Sequence, residues 1–481
     1  MFEYNKFKHA AETNKVVIDN ITTSENKRTI LRRLQSNDRS YTKLQTSNYI
    51  SDTDSPLELA WLGYFIGNNI RLEEFHFDKS PPIRCGAGLE IFRTGFNSNR
   101  SIEKISFCEQ FFFEGKMLSV IEGFLKNNNS LTTFAVGDCE LGDEGVRQIS
   151  LALSNCNKSL KRVIIQHTGG GRWVDLIVSM SVHPQLTQLA FGGMIFGRNE
   201  CTALAGLIQW TTKDLKLLEI YESDIDDEGI ETLTQALAHI HDFRKLIITN
   251  NGTITMRGWK TVATLLERPN CKIKELELYR NNLGDEGARI FVDALSSNSS
   301  LEVINLEHNG IRWLPLCKLL CDTSSVNKTY LSNHTLEYVS LKGNTLPIGS
   351  NAGEYMKLNR KNKKNKSRAA TIKILDNHSH FDMHPFFQWD VKALPMIINW
   401  FSKAAVCTIG YGKKIRVNKL SSIYDFVKEF PSEFIEPLTR RKIAQYTALE
   451  EQLMGDIAQQ AKLQEIQRYK ARAMRRLDIR Y

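Results

Sequence analysis

The chain has 481 residues, more than the roughly 250–300 at which a single compact core stops growing, so several domains or a repeat architecture are expected. Hydrophobic residues make up 42% and charged residues 24%, a balance that excludes a generally disordered chain. No stretch approaches the 18 or more consecutive apolar residues of a membrane-spanning helix. Nine scattered cysteines without zinc-site spacing indicate reduced thiols, which predicts a cytoplasmic or nuclear protein.

The formal net charge of +9 is unevenly distributed along the chain. From Lys357 to Tyr481 there are 25 basic residues against 12 acidic ones, whereas the preceding part is slightly acidic. Attraction to an acidic partner, such as nucleic acid or an anionic membrane, is therefore an argument about the last quarter only.

The N-terminal 54 residues are polar and weakly patterned, which predicts a partly disordered segment with one short helix near Ile30–Leu34. The residues that follow have the spacing of a helix start. Ser55 suits the N-cap, Pro56 the first helical position and Glu58 the third, where it completes a capping box. This predicts a helix that caps the first repeat described next.

An apolar pattern of the form L-x-x-L-x-L recurs ten times, with first members 26 to 35 residues apart. A period in this range is typical of a repeat architecture. The ten triplets are Leu72-Phe75-Phe77, Ile102-Ile105-Phe107, Leu131-Phe134-Val136, Leu160-Val163-Ile165, Leu186-Leu189-Phe191, Leu215-Leu218-Ile220, Phe243-Leu246-Ile248, Ile273-Leu276-Leu278, Leu301-Ile304-Leu306 and Leu336-Val339-Leu341.

Each repeat is predicted to be a short strand followed by a helix, because the apolar period changes from 2 at the triplet to about 3.6 after it. The segment LGDEG at Leu283–Gly287 marks the change in the repeat that begins at Ile273. Acidic side chains suit the first turn of a helix, where unpaired N–H groups favour negative charge. We therefore interpret D-E-G as a helix start and not as a catalytic carboxylate pair.

A polar or small residue recurs three positions after most triplets. Such a side chain can hydrogen-bond buried backbone groups of the neighbouring repeat, which predicts an asparagine ladder, with Met194 as a local irregularity. The ladder positions are Gln110, Cys139, Thr168, Ser223, Asn251, Asn281, Asn309 and Asn344.

The segments LTTFAVGDCELGDEG, LKLLEIYESDIDDEG, IKELELYRNNLGDEG and LEVINLEHNGI resemble the ribonuclease-inhibitor-like leucine-rich-repeat family. Its members include ribonuclease inhibitor, the repeat domains of NOD-like receptors and the Ran GTPase-activating protein. The resemblance covers about 290 residues and implies an α/β solenoid over residues 55–350, a curved horseshoe with parallel strands on the concave face and helices on the convex face. The family shares a shape and not one chemistry.

Three further segments follow the repeats. Residues 351–369 contain the run KLNRKNKKNKSR and are predicted to be a basic linker, for which a nuclear-import role stays open. Residues 370–435 are aromatic-rich and predict a small helical module. Residues 436–481 predict a long basic amphipathic helix that either remains solvated or docks on a partner helix, an anionic membrane or nucleic acid.

Catalysis has no positive indication in the sequence. There is no phosphate-binding loop of the form G-x-x-x-x-G-K-[ST], and the cluster HSHFDMH at 378–384 matches no standard zinc spacing. We therefore predict a non-enzymatic protein with no catalytic residue, no metal site and no cofactor.

Partner-binding candidates are the side chains between and just after the inward-facing triplet residues, since these project from the concave face. Aromatic and arginine side chains are the strongest interface anchors, which favours Tyr221, Tyr279 and Arg280. The full candidate set is Glu219, Tyr221, Glu222, Glu277, Tyr279, Arg280, Asn305, Glu307 and His308.

The first functional hypothesis is a scaffold or adaptor that binds a protein on this face. An alternative, implied by the resemblance, is a regulator of a small GTPase similar to the Ran GTPase-activating protein, although that family member carries an acidic tail and this chain ends basic. A third hypothesis is attachment to nucleic acid or an anionic membrane through the C-terminal helix.

Overall fold

The computed structural model describes residues 2–378 apart from 14–16, 52–54, 80–85, 111–114, 140, 157, 170, 172, 313 and 346–349. The module expected at 370–435 lies almost entirely beyond this range, and the helix expected at 436–481 lies wholly outside it. The chain divides into two compact units. The repeat unit comprises Met1–Pro315 with Leu336–Pro347, and the C-terminal unit comprises Leu316–Thr335 with Ile348–Tyr481.

The repeat unit is built on one parallel sheet of eleven strands that lie side by side in chain order. Neighbouring strands are therefore always consecutive in the chain, as expected for a solenoid. The strands are Lys43–Gln45 (β1), Glu74–Lys79 (β2), Lys104–Gln110 (β3), Thr133–Gly137 (β4), Arg162–Gln166 (β5), Gln188–Gly192 (β6), Leu217–Tyr221 (β7), Lys245–Thr249 (β8), Glu275–Glu277 (β9), Val303–Asn305 (β10) and Tyr338–Ser340 (β11).

Helices alternate with these strands. Those described in the repeat unit are Phe2–Glu12 (α1), Glu25–Gln35 (α2), Pro56–Asn68 (α3), Gly86–Ser98 (α4), Gly115–Asn127 (α5), Gly142–Asn155 (α6), Trp173–Ser179 (α7), Arg198–Trp210 (α8), Asp227–Leu237 (α9), Met256–Glu267 (α10) and Gly284–Ser297 (α11). Those described in the C-terminal unit are Leu316–Leu320 (α12), Val326–Tyr330 (α13), Ser350–Lys361 (α14) and Lys366–Asn377 (α15).

The triplet residues are all buried and form the core of the repeat unit together with apolar helix side chains such as Ile149, Leu233 and Phe291. Equivalent residues stack strand on strand, as where Leu246 pairs with Leu276 and Leu276 with Ile304. The D-E-G segments begin α6, α9 and α11, and Asp226 caps α9 by accepting a hydrogen bond from the Gly229 N–H at 2.8 Å. The predicted strand–helix repeat and the helix-start interpretation are confirmed.

The predicted asparagine ladder is formed at its C-terminal end. Asn281 donates from Nδ2 to the Ile248 carbonyl at 2.6 Å, and its Oδ1 accepts from the Asn251 N–H at 2.9 Å. Asn309 repeats the pattern one strand later, with Nδ2 2.7 Å from the Leu278 carbonyl oxygen. Each amide therefore satisfies buried backbone groups of the preceding repeat, which would otherwise destabilise the stack.

A second asparagine ladder, which was not predicted from the sequence, lies where several of the helices return to the next strand. Asn298, three residues before its triplet, accepts from the Leu301 N–H at 2.7 Å and donates to the Leu266 carbonyl of the preceding repeat at 2.7 Å. Asn69, Asn99 and Asn128 make equivalent bonds. In the 26-residue repeat, His183 occupies this position.

The sheet begins before the predicted boundary at residue 55. Strand β1 pairs with β2 in parallel, and Leu44 of β1 is buried. The helix expected near Ile30–Leu34 is present as α2, whose Leu31 and Leu34 are buried. The predicted disorder of residues 1–54 therefore does not hold for this part, because a few well-spaced apolar residues suffice to attach it to the solenoid.

The capping box of α3 is present as predicted. Ser55 Oγ accepts from the Glu58 N–H at 3.2 Å, and Glu58 Oε2 accepts from the Ser55 N–H at 3.0 Å. Helix α3 packs closely against α4, since a Cβ on Gly95 would lie 2.0 Å from the Gly63 carbonyl oxygen. Only glycine allows this approach of the two backbones.

The segment predicted as a basic linker at 351–369 instead forms α14 and the start of α15. Small apolar residues between the lysines give these helices a buried side, which includes Ala352, Ala369 and Ala370. Lys373 of α15 is completely buried, and its Nζ donates to the carbonyls of Leu320 at 2.6 Å and Asn333 at 3.0 Å.

Candidate partner-binding face

The outward side chains of β7–β10 and the exposed residues up to three positions after the end of each of these strands form one continuous surface, here called the strand face. Glu219 and Tyr221 alternate on β7 with buried Leu218 and Ile220. All nine predicted residues lie on this surface, and each is partly or fully exposed. The structure thus brings together the nine residues that were predicted from the repeat pattern.

A residue one to three positions after the end of each strand from β4 to β11 adopts a left-handed backbone conformation, which non-glycine residues rarely take. Predicted site residues Glu222, Arg280 and His308 have φ values of 48°, 54° and 52°. Asp138, His167, Asn250, Gly193 and Gly343 hold the equivalent position in other repeats. The recurrence of Asn, Asp and Gly at this position was the sequence indication of a tight bend that presents the side chain outward.

Tyr221 and Glu222 are the centre of a polar aromatic cluster. The His167 ring lies 5.4 Å from the Tyr221 ring, and His167 Nε2 is 3.8 Å from Glu222 Oε2. Asn250 Nδ2 donates to Glu222 Oε1 at 2.6 Å. Neither His167 nor Asn250 was predicted from the sequence, although each directly follows a strand, β5 and β8.

Tyr279 forms a second cluster two strands away. The His308 ring lies 5.3 Å from the Tyr279 ring, and the Arg280 guanidinium carbon lies 5.1 Å from the same ring. The Asn305 side chain forms a local hydrogen bond, since its Oδ1 accepts from the Glu307 N–H at 3.0 Å. Tyr279, Arg280 and His308 therefore form a contacting group of side chains that are partly or fully exposed.

The carboxylates of the strand face differ in their partners. Lys245 of β8 lies 2.5 Å from Glu277 and 2.9 Å from Glu275. Burial and the nearby Glu277 carboxylate raise the pKa of Glu219, and Arg162 and Lys245 offset this only in part. Burial also raises the pKa of Tyr221 to about 12, so its phenol stays protonated.

Glu74, His76 and Ser106 form a separate polar group on β2 and β3. The Ser106 hydroxyl and His76 Nδ1 form a hydrogen bond, and burial lowers the pKa of His76. In a hydrolase a carboxylate would accept a hydrogen bond from the other ring nitrogen. Here Glu74 lies 3.6 Å from His76 Nε2 and is bound by Lys104 at 2.5 Å, so we interpret the group as a cross-strand polar contact.

Metal ligands and reactive thiols would be two other kinds of functional site. Among the residues that the structure describes, no group of His, Cys, Asp or Glu side chains has metal-binding geometry; His380, Asp382 and His384 lie outside them. Burial raises the pKa of Cys139 and Cys156 to about 12, which keeps these thiols protonated and unreactive. Within the described ranges, no helix has the length and apolarity to span a bilayer.

The strand order, triplets and ladders define a leucine-rich-repeat protein of the ribonuclease-inhibitor-like type. The family model described as "Leucine Rich repeat" matches residues 127–150 and 270–289. NACHT, LRR and PYD domains-containing protein 14 from Mus musculus is 25% identical over 200 residues, which cover 41% of this chain and 20% of that protein. Ribonuclease inhibitor from Mus musculus is 25% identical over 234 residues, 48% of this chain and 43% of the inhibitor.

The matched region is thus about a fifth of the NACHT protein and less than half of the inhibitor. Among solved structures, the chain is similar to a chain in the crystal structure of the Rad7 and Elc1 complex in yeast. That similarity has a TM-score of 0.35 at 15% identity and covers 71% of this chain and 80% of the other.

Proposed function

We propose that this protein is a non-enzymatic scaffold or adaptor that binds a partner protein on the strand face. The proposal depends mainly on one observation: Tyr221 and Tyr279 are presented two strands apart, each beside charged side chains. Tyrosine and arginine desolvate a large area at small cost in side-chain entropy, and they are enriched among interface anchors.

The leucine-rich repeats suggest a protein as the class of partner. One relative is by its name an inhibitor of a ribonuclease, which supports a protein ligand for a repeat surface of this type. No observation favours small-GTPase regulation over other protein binding. The basic segment at 436–481, which would attach to nucleic acid or membrane, lies outside the described residues.

A paired substitution, Tyr221→Ala with Tyr279→Ala, tests the proposal. Truncation of a central aromatic anchor costs about 2 kcal/mol or more, so removal of both should weaken partner binding by well over tenfold. Proteins that co-purify with the full chain would be identified by quantitative mass spectrometry and then retested for direct binding as pure components.

The matched control is Trp210→Ala, which removes an aromatic side chain that is 81% exposed at the end of α8. It should leave the same partners bound. If the double tyrosine variant keeps its partners at wild-type affinity while its circular dichroism spectrum is unchanged, the strand face is not the binding surface.

A further inference from the structure

Strand β8 lies between two strands that carry the same pair of outward residues. Glu219 and Tyr221 are on β7, and Glu277 and Tyr279 hold the equivalent positions on and just after β9. Ile247 of β8 pairs in register with both Glu219 and Glu277. Two carboxylates therefore flank one apolar side chain, with two phenol rings farther along the same strands.

The two tyrosine rings are held on the sides that face away from β8. A Cβ on Gly192 of β6 would lie 2.1 Å from Tyr221 Cζ, so this ring covers Gly192. The Tyr279 ring lies beside His308, which follows β10. Since adjacent strands are about 4.8 Å apart, the two tyrosine backbones are separated by roughly 10 Å across β8.

Of the two carboxylates that flank Ile247, Glu277 has an ion pair and Glu219 has none among the described residues. Lys245 Nζ already contacts both Glu277 and Glu275. Glu219 has no hydrogen bond or ion pair with any residue that the structure describes, and its neighbours in register are Ala190 and Ile247. A half-buried carboxylate beside apolar side chains is unfavourable unless a cation reaches it.

We infer that the strand face receives one arginine or lysine side chain of the partner protein, whose cationic group reaches Glu219 between Tyr221 and Tyr279. This inference rests on the proposed function and adds the chemistry of the partner. The carboxylate supplies a charge-assisted hydrogen bond, and the Tyr221 ring on the same strand supplies an aromatic face that attracts a cation, whereas the Tyr279 ring already lies beside the Arg280 guanidinium. An acidic segment of a partner would instead be repelled by Glu219 and Glu222.

The δ1 methyl group of Ile247 gives a direct test, because Ile247 is the register neighbour of Glu219. The full chain would carry isotope-labelled isoleucine methyl groups, with the Ile247 signal assigned by Ile247→Val. N-acetyl-arginine amide is the probe, and the neutral isostere N-acetyl-citrulline amide is its control. Arginine should shift the Ile247 signal at least fivefold more than citrulline, and Glu219→Gln should abolish that difference.

The matched variant is Glu267→Gln, which removes an exposed carboxylate at the end of α10 and should leave the arginine-induced shift intact. Equal shifts with arginine and citrulline, no shift with either, or an undiminished shift in Glu219→Gln would each overturn the inference.

A second measurement separates this inference from the proposed function. Once a partner binds the wild-type chain, Glu219→Gln should weaken its binding about tenfold and Glu267→Gln should not. If binding requires the two tyrosines but is unaffected by Glu219→Gln, the cationic contact is refuted and the strand-face scaffold stands. If binding persists without the tyrosines, the proposed function itself fails.

Discussion

The ring of Tyr221 lies over Gly192, its register neighbour on β6, so closely that a Cβ at that glycine would be 2.1 Å from Tyr221 Cζ. Gly192 is therefore part of the proposed binding surface, because it leaves room for the Tyr221 ring. Its backbone is extended strand, so the constraint on this residue is steric and not conformational.

Gly192→Val should displace the Tyr221 ring and weaken partner binding about as much as Tyr221→Ala. The free energy of unfolding should change by no more than about 1 kcal/mol, since valine suits a strand and this face is outward. Affinity would be measured by calorimetry and stability by urea denaturation.

Gly206→Ala is the matched control for this substitution. It lies within α8, where an added Cβ would meet nothing within 4 Å. It should stabilise the protein by about 0.5–1 kcal/mol and leave binding unchanged. Wild-type affinity in Gly192→Val would show that the position of the Tyr221 ring does not matter for recognition.

Much of the fold could be predicted because the repeat uses residues whose physical role is local. The Ser55 capping box and the D-E-G helix starts are set by backbone N–H groups within one turn, so they are visible in a single segment. Strand β1 was missed because one buried residue, Leu44, leaves no periodicity to detect. Helices α14 and α15 were missed because alanines among lysines resemble a solvated linker.

The candidate face could be predicted by strand alternation, but its internal contacts could not. His167 lies two repeats away from Glu222 and reaches it across Gly193, whose Cβ would be 2.2 Å from the His167 ring. This contact is possible only because Gly193, in the repeat between them, has no side chain. Lys245 was also not predicted, because interface anchors were chosen by residue type. Lys245 contacts Glu277 and not Glu219, so it determines which of these two carboxylates is left without an ion pair.

Asn281→Ala should strongly destabilise the repeat unit. It would leave the Ile248 carbonyl and the Asn251 N–H without their partners, and each unpaired buried group costs about 1–3 kcal/mol. We expect the free energy of unfolding to fall by roughly 2–5 kcal/mol in urea denaturation. Asn270→Ala, at an exposed asparagine between α10 and β9, should change it by less than about 0.5 kcal/mol. Equal effects of the two substitutions would mean that the ladder bonds are not stabilising.

His183→Ala should destabilise the protein by about 1–3 kcal/mol because it removes the donor to the buried Leu153 carbonyl, and His183→Asn should restore most of that stability. Burial lowers the pKa of His183 below 6.5. The folded chain therefore holds the neutral ring, and its contribution is present above pH 6.5 and lost as pH falls below it. The difference in unfolding free energy between pH 7.5 and pH 5 should be smaller in His183→Asn than in wild type. An identical difference would show that the ring does not titrate on unfolding.

Lys373 should make the stability of the C-terminal unit depend on pH in the neutral to alkaline range. Burial lowers its pKa to about 7, against 10.5 for the ordinary side chain. Between these values the unfolded chain binds a proton that the folded chain does not, so stability rises with pH. The window from pH 7 to 8.5 isolates this group, because His334 has its pKa lowered to about 4 and burial raises the pKa of Cys321 above 9.0.

Over that window we expect the free energy of opening of α15, obtained from hydrogen exchange after correction for intrinsic rates, to rise by about 1.5 kcal/mol. Lys373→Met should abolish the rise, whatever its effect on absolute stability through the loss of the hydrogen bonds from Nζ to the Leu320 and Asn333 carbonyls. Lys328→Met, at an exposed lysine of α13, should retain it. A slope that persists in Lys373→Met would assign the proton to another group. A flat profile in the wild type would mean that the carbonyl oxygens around Nζ stabilise the ammonium as well as water does.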